Sequence, residues 1–165
     1  MKILVIGGTE GIGSLISKHF DSTAISRRTG HSVPENNQTI KDLSRSFDVI
    51  INCIPDINQN IILEELWQDH TEQGLSTYFI TVGSMSWRIN TDEHPKKRLY
   101  NFSEKLIYDN SKLKHTLVNL TWCYNCKDQA LLSKISENQI LDCIKFLIDQ
   151  IRFNTVISMI ELKGK

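Results

Sequence analysis

The sequence predicts a single doubly wound α/β domain with a mostly parallel sheet. Three observations carry that reading. Short apolar runs rich in β-branched residues recur along the chain, as strands buried on both faces require. Between them lie stretches whose apolar residues fall on one face at helical spacing. The first run passes straight into a glycine-rich turn and then a helix, the alternation that parallel sheets are built from.

The first strand is Ile3-Leu4-Val5-Ile6. Gly7-Gly8-Thr9-Glu10-Gly11-Ile12-Gly13 follows at once, and behind it Ile12, Leu15, Ile16, His19 and Phe20 share one helical face. A strand turning directly into a helix needs backbone angles that glycine adopts at low cost. A missing side chain also lets a pyrophosphate approach the main chain, and the helix N-terminus offers it unpaired N–H groups and a positive dipole end. A tight turn without a ligand would use glycine too. The coincidence of strand, turn and helix stripe favours a dinucleotide-binding entrance.

Gly7, Gly11 and Gly13 form G-x-x-x-G-x-G. This resembles the cofactor loop of the short-chain dehydrogenase/reductase family, T-G-x-x-x-G-I-G, with Ile6 standing at the threonine position. The resemblance implies a Rossmann-like NAD(P)-binding fold and hydride transfer between a cofactor and a carbonyl or alcohol. It also implies that Gly7, Thr9, Glu10, Gly11 and Ile12 surround the cofactor.

Ser22 to Ser26 reads as a second strand ending in Ser26-Arg27-Arg28. Just beyond this strand a carboxylate would bind the free ribose hydroxyls of NAD, whereas arginine favours the 2′-phosphate of NADP. Arg27 lies about twenty positions after Gly7, where that selector is expected. The segment holds no carboxylate, so NADP(H) is expected over NAD(H), with Ser26, Arg27 and Arg28 as binding residues. Thr29 to Gln38 is a polar loop. Thr39 to Leu43 reads as a small third strand, and its Asp42-Leu43 resembles the pair that lies beside the adenine ring in the family. Only Ser44-Arg45-Ser46 then precedes the next strand, which implies a pared-down fold.

Phe47 to Pro55 is the fourth strand and its exit. Asn52-Cys53-Ile54-Pro55 partly resembles the N-N-A-G of the family, which places Asn52 and Cys53 at the cofactor. Asn58 to Asp69 is a predicted helix with Ile61, Ile62, Leu66 and Trp67 on its apolar side, and Gly74 stands in its stop region. Thr77 to Ser84 is a strongly β-prone fifth strand. Ser84, with Ser86 close behind, stands where the family places its catalytic serine.

The family's Tyr-x-x-x-Lys follows, in which tyrosine is the general acid/base and lysine lowers its pKa and holds the ribose. Tyr100-Asn101-Phe102-Ser103-Glu104-Lys105 has Glu104 at the lysine position. Lys105 is displaced by about 100° around a helix. The resemblance therefore names Ser84, Tyr100 and Lys105 as the catalytic set. Tyr108-Asp109-Asn110-Ser111-Lys112 is a complete Y-x-x-S-K, but it leaves barely two turns before the sixth strand, Thr116 to Tyr124. After that strand the substrate-covering segment of the family is short or missing. Ser136-x-x-Gln139 reads as a capping box opening the last helix, with Ile140, Ile144, Leu147, Ile148 and Ile151 on one face. Val156 to Leu162 is a closing strand.

Composition narrows the remaining functions. Over 165 residues, 19 Lys+Arg balance 19 Asp+Glu, which gives no electrostatic footprint for nucleic acid or a membrane surface. No apolar stretch reaches the length of a membrane span. With the first strand at the N-terminus, the expected location is cytoplasmic. Cys123-Tyr124-Asn125-Cys126 offers two ligands where structural zinc needs four, so no metal is expected. The expected partner is a small-molecule substrate. The resemblance also implies self-association, and an alternative reading is an NADP(H)-binding sensor or adaptor with impaired catalysis.

Overall fold

The computed structural model describes residues 1–84, 101–102, 104–106, 112–120, 135–151, 157 and 159–162. The strands are β1 (Ile3–Ile6), β2 (Thr23–Ile25), β3 (Val49–Asn52), β4 (Tyr78–Ser84), β5 (Lys114–Leu120) and β6 (Met159–Leu162). The helices are α1 (Gly11–His19), α2 (Asn37–Ser44), α3 (Asn58–Glu72) and α4 (Glu137–Ile151). Residues 101, 102 and 104–106 are also helical.

The strands form one sheet in the order β2-β1-β3-β4-β5-β6, with every neighbouring pair parallel. Leu4 lies opposite Thr23 on one side and Ile50 on the other, so β1 sits inside the sheet. The chain leaves β1 towards β2 and then returns to the other side of β1 as β3. That reversal opens a crevice at the carboxyl ends of β1 and β3.

Alternate strand residues feed two cores. Ile3, Val5, Val49, Ile51, Ile80 and Val118 face Ile16 of α1 and Ile140, Ile144, Leu147 and Ile148 of α4. Leu4, Ile6, Ile50, Phe79 and Leu117 face Ile40 of α2 and Ile62, Leu63, Leu66 and Trp67 of α3. The sheet is therefore covered on both faces, the doubly wound arrangement that unbroken apolar strands require. Each such side chain stabilises the fold by about 1.5–3 kcal/mol through burial.

The third strand expected at Thr39 to Leu43 is instead part of α2. Asn37, Ile40 and Ser44 are its buried residues, and that three-then-four spacing is helical. Ile40 is fully buried in the core beneath α3, and the pairs Gln38–Asp42 and Asp42–Arg45, both at 3.0 Å, suit one helical face. Tertiary packing of Ile40 overrides the strand preference of Thr39-Ile40. As a result β2 is one edge of the sheet among the described residues.

Candidate active site and cofactor cleft

A cleft of about 690 Å³ opens where the chain leaves β1, β2 and β3. Its first wall is the glycine-rich turn, contributing Gly7, Thr9, Glu10, Gly11, Ile12 and Gly13. The second is the segment after β2, with Ser26, Arg27, Arg28 and His31 to Glu35. Cys53 to Asp56 and Asn58, after β3, form the third.

Close packing shapes the first wall. A methyl group on Gly13 would lie 2.1 Å from the carbonyl oxygen of Gly7, so only glycine lets α1 begin against the turn. Gly11 differs: its φ is +51°, and nothing lies within 4 Å of the position of a β-carbon. The main chain is bare there, as close approach of a ligand needs. The Ser17 hydroxyl, four residues beyond Gly13 in α1, lies 2.7 Å from the Gly8 carbonyl and 2.6 Å from that of Gly13, which ties the turn to the helix.

The second wall is pinned to the first. The Gly7 and Gly8 N–H groups donate to the Ile25 carbonyl at 2.8 and 3.1 Å, and the Thr9 hydroxyl donates to Ser26 Oγ at 2.7 Å. Ser26 Oγ in turn accepts the Arg28 N–H at 3.1 Å, while the Ser26 N–H donates to Thr29 Oγ1 at 2.8 Å. These bonds fold Arg27–Thr29 into a single 3₁₀ turn that presents two guanidinium groups at the cleft. Arg28 is ion-paired with Glu10 across the gap. Arg27 is exposed and makes no ion pair among the described residues. Glu35 and Asp56 bring further carboxylates to the lining, and Asp56 Oδ1 accepts the Asn58 N–H at 2.9 Å beside the start of α3.

Two expected cofactor residues lie elsewhere. Asp42 is an exposed residue of α2, paired with Arg45 and Gln38, because the strand that would have carried it to an adenine ring is a helix. Asn52 is buried beneath the cleft floor, and its side chain donates to the Gln59 carbonyl at 2.8 Å. Cys53, just past the end of β3, does line the cleft and is half-buried. The wall from His31 to Glu35 was not among the expected binding residues, and its only sequence signal is the polar loop of Thr29 to Gln38.

Of the expected catalytic set, Ser84 closes β4 at the carboxyl end of the sheet, in register with Leu120. Lys105 is exposed on the helical residues 104–106. Tyr100, Ser86 and the alternative Tyr108 lie outside the described residues, as do Cys123 and Cys126. No described helix is long and apolar enough to cross a membrane.

No protein-family model matches the sequence, and no curated protein does. Solved structures match over almost the whole chain. A short chain dehydrogenase from Bacillus anthracis superposes with a TM-score of 0.74 at 9% identity, covering 99% of this chain and 95% of that one. The closed form of serine dehydrogenase complexed with NADP+ gives 0.71 at 11% identity, covering 98% and 94%. A 4-hydroxyisoleucine dehydrogenase complexed with NADH gives 0.69 at 16% identity, covering 99% and 98%. The fold is thus Rossmann-like, and it is the fold of the short-chain dehydrogenases.

Proposed function

We propose that the cleft binds a nicotinamide dinucleotide, with NADP(H) preferred to NAD(H), and that the chain interconverts a carbonyl and an alcohol on a small-molecule substrate. The observation that carries this is the meeting, in one cleft lining, of a bare, positive-φ turn at Gly11 with Arg27, which makes no ion pair among the described residues. The helix N-terminus behind Gly11 suits a pyrophosphate. Arg27 suits a 2′-phosphate, which a guanidinium can hold with two hydrogen bonds. Solved proteins of this fold carry NADP+ or NADH.

The cofactor supplies or accepts the hydride. On this reading Ser84 polarises the substrate oxygen, Tyr100 moves its proton, and Lys105 favours ionised Tyr100 by its positive charge. A second reading is a dinucleotide-binding sensor or adaptor without turnover. It is favoured by Glu104, which occupies the expected lysine position and whose carboxylate would raise the pKa of Tyr100.

Titration calorimetry with NADPH and NADH, on the wild type and Arg27→Asp, tests the binding reading. Tight NADPH binding, weak NADH binding and a loss or reversal of that order in the variant support it. Binding of neither nucleotide by the wild type defeats it.

A further inference from the structure

We infer that Glu10 moderates the cofactor selectivity of this cleft by competing for Arg28, an inference that rests on the dinucleotide reading above. Arg27 and Arg28 are adjacent in one turn yet differ in electrostatic state. Arg28 is ion-paired with Glu10, whereas Arg27 makes no ion pair among the described residues. Glu10 precedes the first residue of α1, but its side chain makes no hydrogen bond to the helix it would cap. Its carboxylate is committed to Arg28 and not to α1.

Both side chains line the cleft and stay largely in solvent, with 71% of Arg28 and 62% of Glu10 exposed. Such a pair is weak and exchanges partners readily. A ribose 2′-phosphate offers Arg28 a stronger, bidentate partner. Taking it breaks the Glu10–Arg28 pair. A free ribose imposes no such exchange. Glu10 therefore works against NADP(H) and in favour of NAD(H), moderating the preference that Arg27 creates. The turn Ser26 to Thr29 that carries Arg28 contains no acid in sequence. The fold supplies one from the glycine-rich turn.

The test is a double-mutant cycle read by calorimetric binding of NADPH and NADH to wild type, Glu10→Gln, Arg28→Gln and the double variant. Glu10→Gln is expected to raise the ratio of NADPH to NADH affinity by about fivefold, the scale of one exposed charge–charge contact. In the Arg28→Gln background the same substitution should change the ratio by less than about twofold. Circular dichroism of each variant confirms that these exposed substitutions leave the fold intact. An unchanged ratio in Glu10→Gln overturns the inference, and an equal rise in both backgrounds overturns the role of Arg28. If the wild type binds NADPH and only the cycle fails, the dinucleotide reading survives. If the wild type binds neither nucleotide, both fall.

Discussion

Asn52 and Gln59 clasp each other at the carboxyl edge of the sheet. Asn52 Nδ2 donates to the main-chain oxygen of Gln59 at 2.8 Å, and Gln59 Nε2 donates to the main-chain oxygen of Asn52 at 3.1 Å. The same Gln59 nitrogen reaches the Val82 carbonyl at 2.8 Å, so one side chain joins β3, α3 and β4. Both residues are buried, and the third wall of the cleft is anchored on them.

Gln59→Leu should therefore act on stability before it acts on binding. Two buried carbonyls lose a donor, and leaving such groups unpaired costs about 1–3 kcal/mol each. The midpoint of urea unfolding should fall while the m-value holds, because the surface exposed on unfolding is unchanged. A midpoint equal to the wild type would mean that the clasp contributes nothing.

The two turn glycines should respond differently. Gly13→Ala puts a methyl group against the Gly7 carbonyl at 2.1 Å, which forces the turn away from α1 and costs about 1–3 kcal/mol or more. Gly11→Ala meets nothing within 4 Å, so it carries only the strain of a left-handed residue, about 1–2 kcal/mol. Urea unfolding ranks the two, and NADPH titration should show affinity lost in both. Equal stability in both variants would contradict the packing described for Gly13.

Acid should destabilise the fold through two buried histidines. Burial pushes His115 down to about 3 and also lowers His70, the latter only partly opposed by the Asp69 carboxylate. His115 Nε2 pairs with Thr81 Oγ1 at 3.0 Å, and the His70 ring nitrogens pair with Ser44 Oγ at 2.8 Å and Thr77 Oγ1 at 2.9 Å. An unfolded histidine takes a proton near its ordinary 6.5, whereas the folded His115 does so only near 3. Unfolded chains thus bind the extra proton throughout that window. The stabilisation is complete above 6.5 and is lost as pH falls, with a slope of about 1.4 kcal/mol per pH unit for His115, to which His70 adds in the same direction. Asp69, held below its usual range by the hydrogen bond from Arg45, adds to this loss only under more acidic conditions. Unfolding free energies measured from neutral pH downwards should show the decline, and His115→Gln should flatten it.

Helix α2 offers a direct check on its displaced strand. Ile40→Ala removes a fully buried side chain from the core beneath α3 and should cost about 2–4 kcal/mol by urea unfolding. Asp42→Ala, on the exposed face, should leave NADPH affinity unchanged. A marked loss of affinity in Asp42→Ala would return that residue to the cleft.

Turnover separates the two functional readings. With a panel of carbonyl substrates and NADPH, Lys105→Ala should abolish activity if Lys105 serves Tyr100. If the chain is a sensor, the wild type should be silent and Glu104→Lys should create activity.

What could be read along the chain is what depends on neighbours within a few residues. The passage from Ile6 through Gly13 into α1 is written in a change of periodicity and a glycine pattern. The capping box of α4 was legible in the same way: the Ser136 N–H donates to Gln139 Oε1 at 2.8 Å, and the Gln139 N–H donates to Ser136 Oγ at 3.2 Å. Distant partners were not legible. Thr39-Ile40 is β-prone in isolation, and Ile40 becomes helical because a helix lets it reach the apolar face beneath α3. Asn52 turns inward because Gln59, seven residues on, is carried back over it by the start of α3. Glu10 meets Arg28 because the parallel pairing of β1 with β2 brings their two exits side by side. Local spacing governs helices, turns and caps. Which charged side chains share the cleft depends on crossovers that close only when the whole sheet is assembled.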